Sequence, residues 1–165
     1  MVSTGYHNTG EEWAHKLAFR TDEIVRNTTV EVLLYDDSVD ELDDTSDVGD
    51  ITTEPTDGNY TRQEFELDSE DVELSVVDDQ LRAETTVTFD VTDTTGTVDA
   101  SQTIVEFESD IVAGDTEPNP HFLYSSLLDF GSADLEQSNN LQTTVIIDLN
   151  YQWLKTTPSS PTRLT

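Results

Sequence analysis

Apolar residues recur along this chain with two different periods, and the change falls near residue 27. Before it, Trp13, Leu17 and Ile24 follow near-helical spacing with Ala14, Ala18 and Val25 beside them. Thr9-Gly10-Glu11-Glu12 has the Thr-x-x-Glu form of a capping box, so a helix is predicted over residues 10–26. After residue 27 the pattern is that of strands, with β-branched and aromatic residues concentrated in short runs such as Thr29 to Tyr35 and Glu84 to Val91. Strands are predicted at 28–35, 61–67, 71–76, 82–91, 103–108, 121–128 and 141–152. Turn-forming clusters separate them, among them Asp57-Gly58-Asn59, Asp93-Thr94-Thr95-Gly96 and Gln137-Ser138-Asn139-Asn140. Short strands with no further helix favour a sandwich or barrel. The expected fold is mainly β: an antiparallel β-sandwich, jelly-roll-like, preceded by one N-terminal helix.

A chain of 165 residues suits one domain with appendages. The expected division is an N-terminal arm and helix (1–26), a β domain (27–152) and a tail (153–165) that holds Pro158 and Pro161 and no core pattern. Segment 36–58 is long for a connection and strongly acidic, which predicts either a surface loop with a functional role or a mobile one, and its densest run, Asp36 to Asp50, reads as a solvated loop.

Charge sharpens this division. Residues 27–154 carry 32 acidic side chains against two basic ones, Arg62 and Arg82, whereas residues 155–165 carry Lys155 and Arg163 and no acid. In dilute buffer such a body repels itself. At about 1 M salt the Debye length is roughly 3 Å and most of the repulsion is screened. The acidity therefore reads as adaptation to molar salt, the competing reading being a calcium-loaded or partly disordered acidic protein. Nucleic acid is disfavoured as a partner, because no Lys/Arg cluster is present to neutralise phosphates. No run approaches the ~20 apolar residues of a membrane span, and Met1 to Asn8 lacks the basic start and apolar stretch of a signal peptide.

Candidate chemistry is sparse. With no cysteine, disulfides, zinc thiolates and thiol catalysis are excluded. His7, His15 and His121 stand in three different contexts and read as ordinary solvent histidines. The sequence contains no His-Glu-x-x-His, Gly-x-Ser-x-Gly or phosphate-cradling Gly-x-x-x-x-Gly-Lys. No catalytic residue, cofactor or metal is expected. The run from Asp36 to Asp50 invites a calcium reading, but it lacks the Asp-x-Asp-x-Asp-Gly spacing and distal Glu of a helix-loop-helix site. Asn27 and Asn59 both satisfy the glycosylation pattern, which arises often by chance in a Thr-rich chain.

Several segments in order carry a resemblance: Val32-Leu33-Leu34-Tyr35, Gly58-Asn59-Tyr60-Thr61-Arg62-Gln63, Glu84 to Phe89, Ile104 to Phe107, Phe122 to Leu127 and Leu141 to Ile147. Over residues 10–150 this order resembles the small virion proteins of tailed phages and haloarchaeal tailed viruses. The resemblance implies a structural protein made in the host cytoplasm and mounted on the virion exterior, tail-fibre-like or capsid-attached as a decoration or turret. It also implies architectural roles for Tyr60, which anchors a strand start in the core, and Arg62, which pairs with a carboxylate from the same face. The expected partners are further copies of the chain and other virion proteins. A carbohydrate-binding sandwich that attaches to a host-surface glycan is the alternative function. Both tryptophans and five of the seven basic residues lie near the ends. Trp13, Lys16, Leu17, Arg20, Trp153 and Lys155 are therefore the expected interface anchors. In the competing reading Trp13 packs beneath its own helix and Trp153 closes the last strand.

Overall fold

The structure, a computed structural model of the chain, describes residues 5–20 and 29–148. Among the described residues ten strands and one α-helix follow in the order β1 (Gly5–Tyr6), α1 (Asn8–Phe19), β2 (Thr29–Tyr35), β3 (Gln63–Glu66), β4 (Glu73–Val77), β5 (Gln80–Asp90), β6 (Thr97–Val98), β7 (Ala100–Phe107), β8 (Asn119–Leu127), β9 (Ala133–Asp134) and β10 (Asn140–Asp148). All pairings are antiparallel. The first sheet has the order β1-β8-β7-β2-β3 and the second β10-β5-β4, while β6 and β9 form a two-stranded ribbon. The expected antiparallel β-sandwich with one N-terminal helix is what the chain forms. The end of the expected strand 141–152 lies outside the described residues, as does residue 28.

Alternation explains which face each strand buries. On β2 the side chains of Val30, Val32 and Leu34 point into the space between the sheets, where they meet Phe65, Val87, Phe89, Val105, Phe107, Leu141 and Val145. The other face of β2 is apolar too. Leu33 and Tyr35 pack with Ala100, Ile104 and Phe122 under Leu42, Val48 and Ile51. The first sheet is therefore buried on both faces, by the second sheet on one side and by segment 36–57 on the other. The segment is a surface loop as expected, with Val39, Asp43 and Asp44 among its exposed residues, but its inner side is a cover that buries Leu42. Leu33 and Tyr35 need cover, and the acidic segment supplies it through apolar residues set among its carboxylates.

The helix also departs from expectation. It begins at Asn8, with His7 in the N-cap position and no side-chain cap, and ends at Phe19, where Arg20 leaves helical geometry. The capping box does not form because its members are engaged elsewhere. Thr9 Oγ1 donates to Phe122 O at 2.6 Å, and Glu12 accepts from Ser109 Oγ and Asp110 N, both at 2.6 Å. Residues 21–26 of the expected helix lie outside the described residues. Gly10 sits where α1 touches β8, and a Cβ there would fall 2.2 Å from Leu123 O, so the helix approaches the strand more closely than any side chain permits. The β4–β5 hairpin turns at Asp78 and Asp79, both in the left-handed region (φ 53° and 63°), as a tight two-residue turn requires.

Candidate functional site

Three polar clusters and one apolar cleft are the features with chemical potential. The first cluster joins the N-cap of α1, β7 and β8 beneath the acidic segment. His7 Nδ1 donates to Asp43 O at 2.8 Å, which leaves Nε2 as the acceptor for the Ser125 hydroxyl at 2.7 Å. That hydroxyl also lies 2.5 Å from Gln102 Oε1. Burial lowers the His7 pKa and keeps the ring neutral. The pair has the form of a serine–histidine dyad, but Ser125 is only 1 % exposed and His7 3 %, so no substrate reaches the hydroxyl in this conformation. The cluster ties three segments together in place of apolar packing.

The second cluster centres on His121 of β8, also buried. Its Nδ1 meets Asp47 Oδ2 at 2.6 Å and its Nε2 meets Asp115 Oδ2 at 2.9 Å, while the Phe107 ring packs edge-on against it. Burial opposes charge on the ring, but the two carboxylates outweigh it and raise its pKa. Asp47 and Asp115 are held below the usual carboxylate range. Burial opposes this at Asp47, where His121 and the backbone of Phe122 prevail. At Asp115 the backbone hydrogen bond from Ser109 leads. His7 and His121 are thus buried structural groups rather than the expected solvent histidines, and of the three only His15 is exposed. Nothing in the sequence spacing pointed to either partner set, since His7 and Ser125 are 118 residues apart and Asp47 and His121 are 74 apart.

The third cluster surrounds Tyr60 and Arg62. The Tyr60 ring stacks on Phe89, and its hydroxyl accepts from Leu34 N and donates to Glu54 at 3.0 Å each. Burial raises its pKa. Arg62 forks onto both oxygens of Glu54 at 2.9 Å and stands 3.6 Å from Glu31. Tyr60 and Arg62 therefore pin the far end of the acidic segment to β2 and β3.

The expected interface residues divide between the chain's own body and its surface. Trp13 is buried in the main core, and Lys16, 4 % exposed, donates to Glu108 O at 2.8 Å with Glu12 at 3.3 Å and Asp110 at 3.4 Å. Lys16 has its donors engaged by Glu12 and the loop after β7, whereas Trp13, though in the core, also lines a cleft at the helix face. Arg20 is exposed and pairs with Asp110 at 2.9 Å. Leu17 lines a cleft at the helix face. Trp153 and Lys155 lie outside the described residues, as does Asn27. Asn59 is exposed, with its amide on Asp90.

Asp40 shows what the acidic segment does with its carboxylates. Burial opposes its ionisation, yet donors from the N–H and hydroxyl of Thr52 and Thr53, at 2.5–3.0 Å, hold its pKa below the ordinary value. Among the described residues no group of three or more His, Cys, Asp or Glu is placed to hold a metal ion, and no helix is long and apolar enough to cross a membrane.

The remaining feature is apolar. The pairings Leu74↔Ala83 and Val76↔Leu81 set these four residues on the face of the second sheet that carries Val87 and Phe89. The first sheet covers that face near Phe89 but not near the β4–β5 hairpin, where Leu74 is 66 % and Val76 70 % exposed. Between this overhang and α1 lies a cleft of about 390 Å³ lined by Trp13, Leu17, Leu67, Leu74, Leu81 and Ala83 among others. Phe19, 78 % exposed, extends the apolar surface along the helix. No protein-family model, curated protein or solved structure matches the chain.

Proposed function

We propose that this chain is a non-catalytic structural component of the exterior of a haloarchaeal tailed-virus particle, capsid-attached or tail-associated, that acts by oligomeric assembly in concentrated salt. The observation that carries the assembly part is the open end of the sandwich. A chain with net charge -29 keeps apolar surface exposed at the β4–β5 hairpin and the end of α1, and concentrates it there. Contiguous apolar surface on an otherwise charged protein marks a contact site. In brine, screening weakens charge contacts more than apolar burial, so an apolar mount suits a halophilic assembly. The virion part rests on the order of motifs in the sequence. The carbohydrate-binding alternative finds less support: among the described residues Phe19 and Phe130 are the exposed aromatic rings, and the rest lie in or against the core.

Light scattering of the full-length protein at about 3 M KCl tests the assembly. The wild type is expected to form a defined oligomer. The variants Leu74→Lys and Val76→Lys, whose side chains face solvent in one copy, are expected to stay folded by circular dichroism and to become monomeric. A monomeric wild type, or variants that assemble as well as the wild type, would overturn the reading.

A further inference from the structure

We propose that the apolar cleft between α1 and the β4–β5 hairpin receives the segment that follows β10, Leu149 to Leu154, from a second copy of this chain. The inference rests on the assembly reading above and names the contact that reading requires.

Three observations select this occupant. The first is its pattern. On β10 the inward positions are odd-numbered, with Leu141, Thr143 and Val145 buried, and in the sequence the same parity runs through Ile147 to Leu149, Tyr151 and Trp153, with Asn150 and Gln152 between the last three. Three large apolar side chains in alternation match a cleft walled by leucines, alanine and Trp13. The second is charge. Lys155 and Arg163 follow the apolar stretch with no acid after residue 148, whereas the groove adjoining the cleft is rimmed by Asp68, Glu70, Asp71 and Glu73.

The third observation concerns which copy supplies the segment. The last described pair of the β10–β5 ladder is Asp148↔Arg82, and β5 begins at Gln80 just after the hairpin turn. The described part of β10 therefore ends close to the hairpin tip, where β5 has only Leu81 and Gln80 left before the turn. Two copies that meet tip to tip each present this segment to the other's open end. The result is an isologous two-fold exchange that covers Leu74 and Val76 in both.

The chain has no cysteine, so introduced thiols report the contact directly. Full-length Leu81→Cys and full-length Tyr151→Cys proteins are each checked for folding, mixed at about 3 M KCl, and oxidised. The expected product is a covalent heterodimer on a non-reducing gel, far in excess of any dimer from either protein alone. A single chain carrying both cysteines that closes on itself as a monomer would show that the segment folds back onto its own cleft, and would overturn the exchange. So would efficient closure between Ile24→Cys and Leu81→Cys in one chain, which would give the cleft to residues 21–28. Absence of any cross-link while light scattering still reports oligomers removes the exchange and leaves the assembly reading standing. A monomeric protein removes both.

Discussion

Replacing His121 by Ala probes the cluster that fastens the acidic segment and the loop after β7 to β8. The substitution removes the ring that meets Asp47 at 2.6 Å and Asp115 at 2.9 Å. Two charge-assisted hydrogen bonds contribute about 1.5–3 kcal/mol each. The carboxylates are not left bare, however. Asp115 still accepts from Ser109 N at 2.7 Å and Asp47 from Phe122 N at 3.0 Å. The expected loss is therefore about 2–4 kcal/mol, below the full cost of leaving a buried charge unpaired. It is read from urea unfolding followed by circular dichroism in molar salt. The pH dependence gives the sharper test. Because the folded pKa of His121 lies above its unfolded value, its contribution is complete below about pH 6.5 and fades as pH rises through the folded value. Asp47 and Asp115, held low, contribute above about pH 3.9 and lose that contribution as pH falls through their folded values. His7 works in the opposite sense to His121, since its depressed pKa costs stability as pH falls below about 6.5. It is common to both proteins, so the difference between wild type and His121→Ala isolates His121. That difference is expected to be larger at about pH 6 than at about pH 8.5. A difference independent of pH, or a loss under about 0.5 kcal/mol, would refute the ionic latch.

Three further outcomes are expected. Gly10→Ala forces a methyl group against Leu123 O and should lower stability by about 1–3 kcal/mol, the range for overpacking, with an unchanged melting temperature counting against the close helix–strand contact. Asp40→Ala removes the acceptor for Thr52 and Thr53 and should cost about 1–3 kcal/mol; limited proteolysis should then cut within 36–57, and continued protection would show that the apolar contacts of Leu42, Val48 and Ile51 suffice alone. Stability measured from about 0.1 to 3 M KCl should rise with salt as repulsion is screened, and a flat profile would remove the halophilic reading of the net charge of -29.

The strands were legible where one period dominated. β5 and β10 alternate cleanly, and their ends were foreseen to within about two residues wherever the structure describes them, the usual uncertainty of an element boundary. The two-residue strands β1, β6 and β9 were not legible, because so short a pairing is set by what lies alongside it rather than by its own residues. The continuous run Val32-Leu33-Leu34-Tyr35 did hold a signal for the covering role of the loop. A strand apolar on both faces needs two covers, and Leu42, Val48 and Ile51 were the nearest candidates in sequence. Their acidic neighbours hid them. The helix showed the reverse error. Its Lys16 read as an interface anchor, yet Glu12 at i−4 and the loop after β7 hold it in a nearly closed site. Pairings separated by seventy or more residues, as at His7 and His121, leave no local trace, because topology alone brings them together.

The acidity itself divides into two populations. Asp36, Asp43, Asp68, Asp90 and Asp134 each accept from a backbone N–H two residues on, closing Asx turns at loop starts. Asp40 and Asp115 accept backbone N–H groups from elsewhere in their own loops, and Asp47, Asp57, Asp99, Asp129 and Glu12 accept them from other segments. These carboxylates do the fastening that lysine and arginine pairs do in other proteins, with amides and threonine or serine hydroxyls as the donors. Such a bond needs no counter-charge and loses less to screening than an exposed ion pair does. A chain poor in basic residues can therefore hold long loops against its sheets, while its self-repulsion, which neutral donors do not cancel, comes from bonded and free carboxylates alike, the exposed Asp78 and Asp79 at the hairpin tip included.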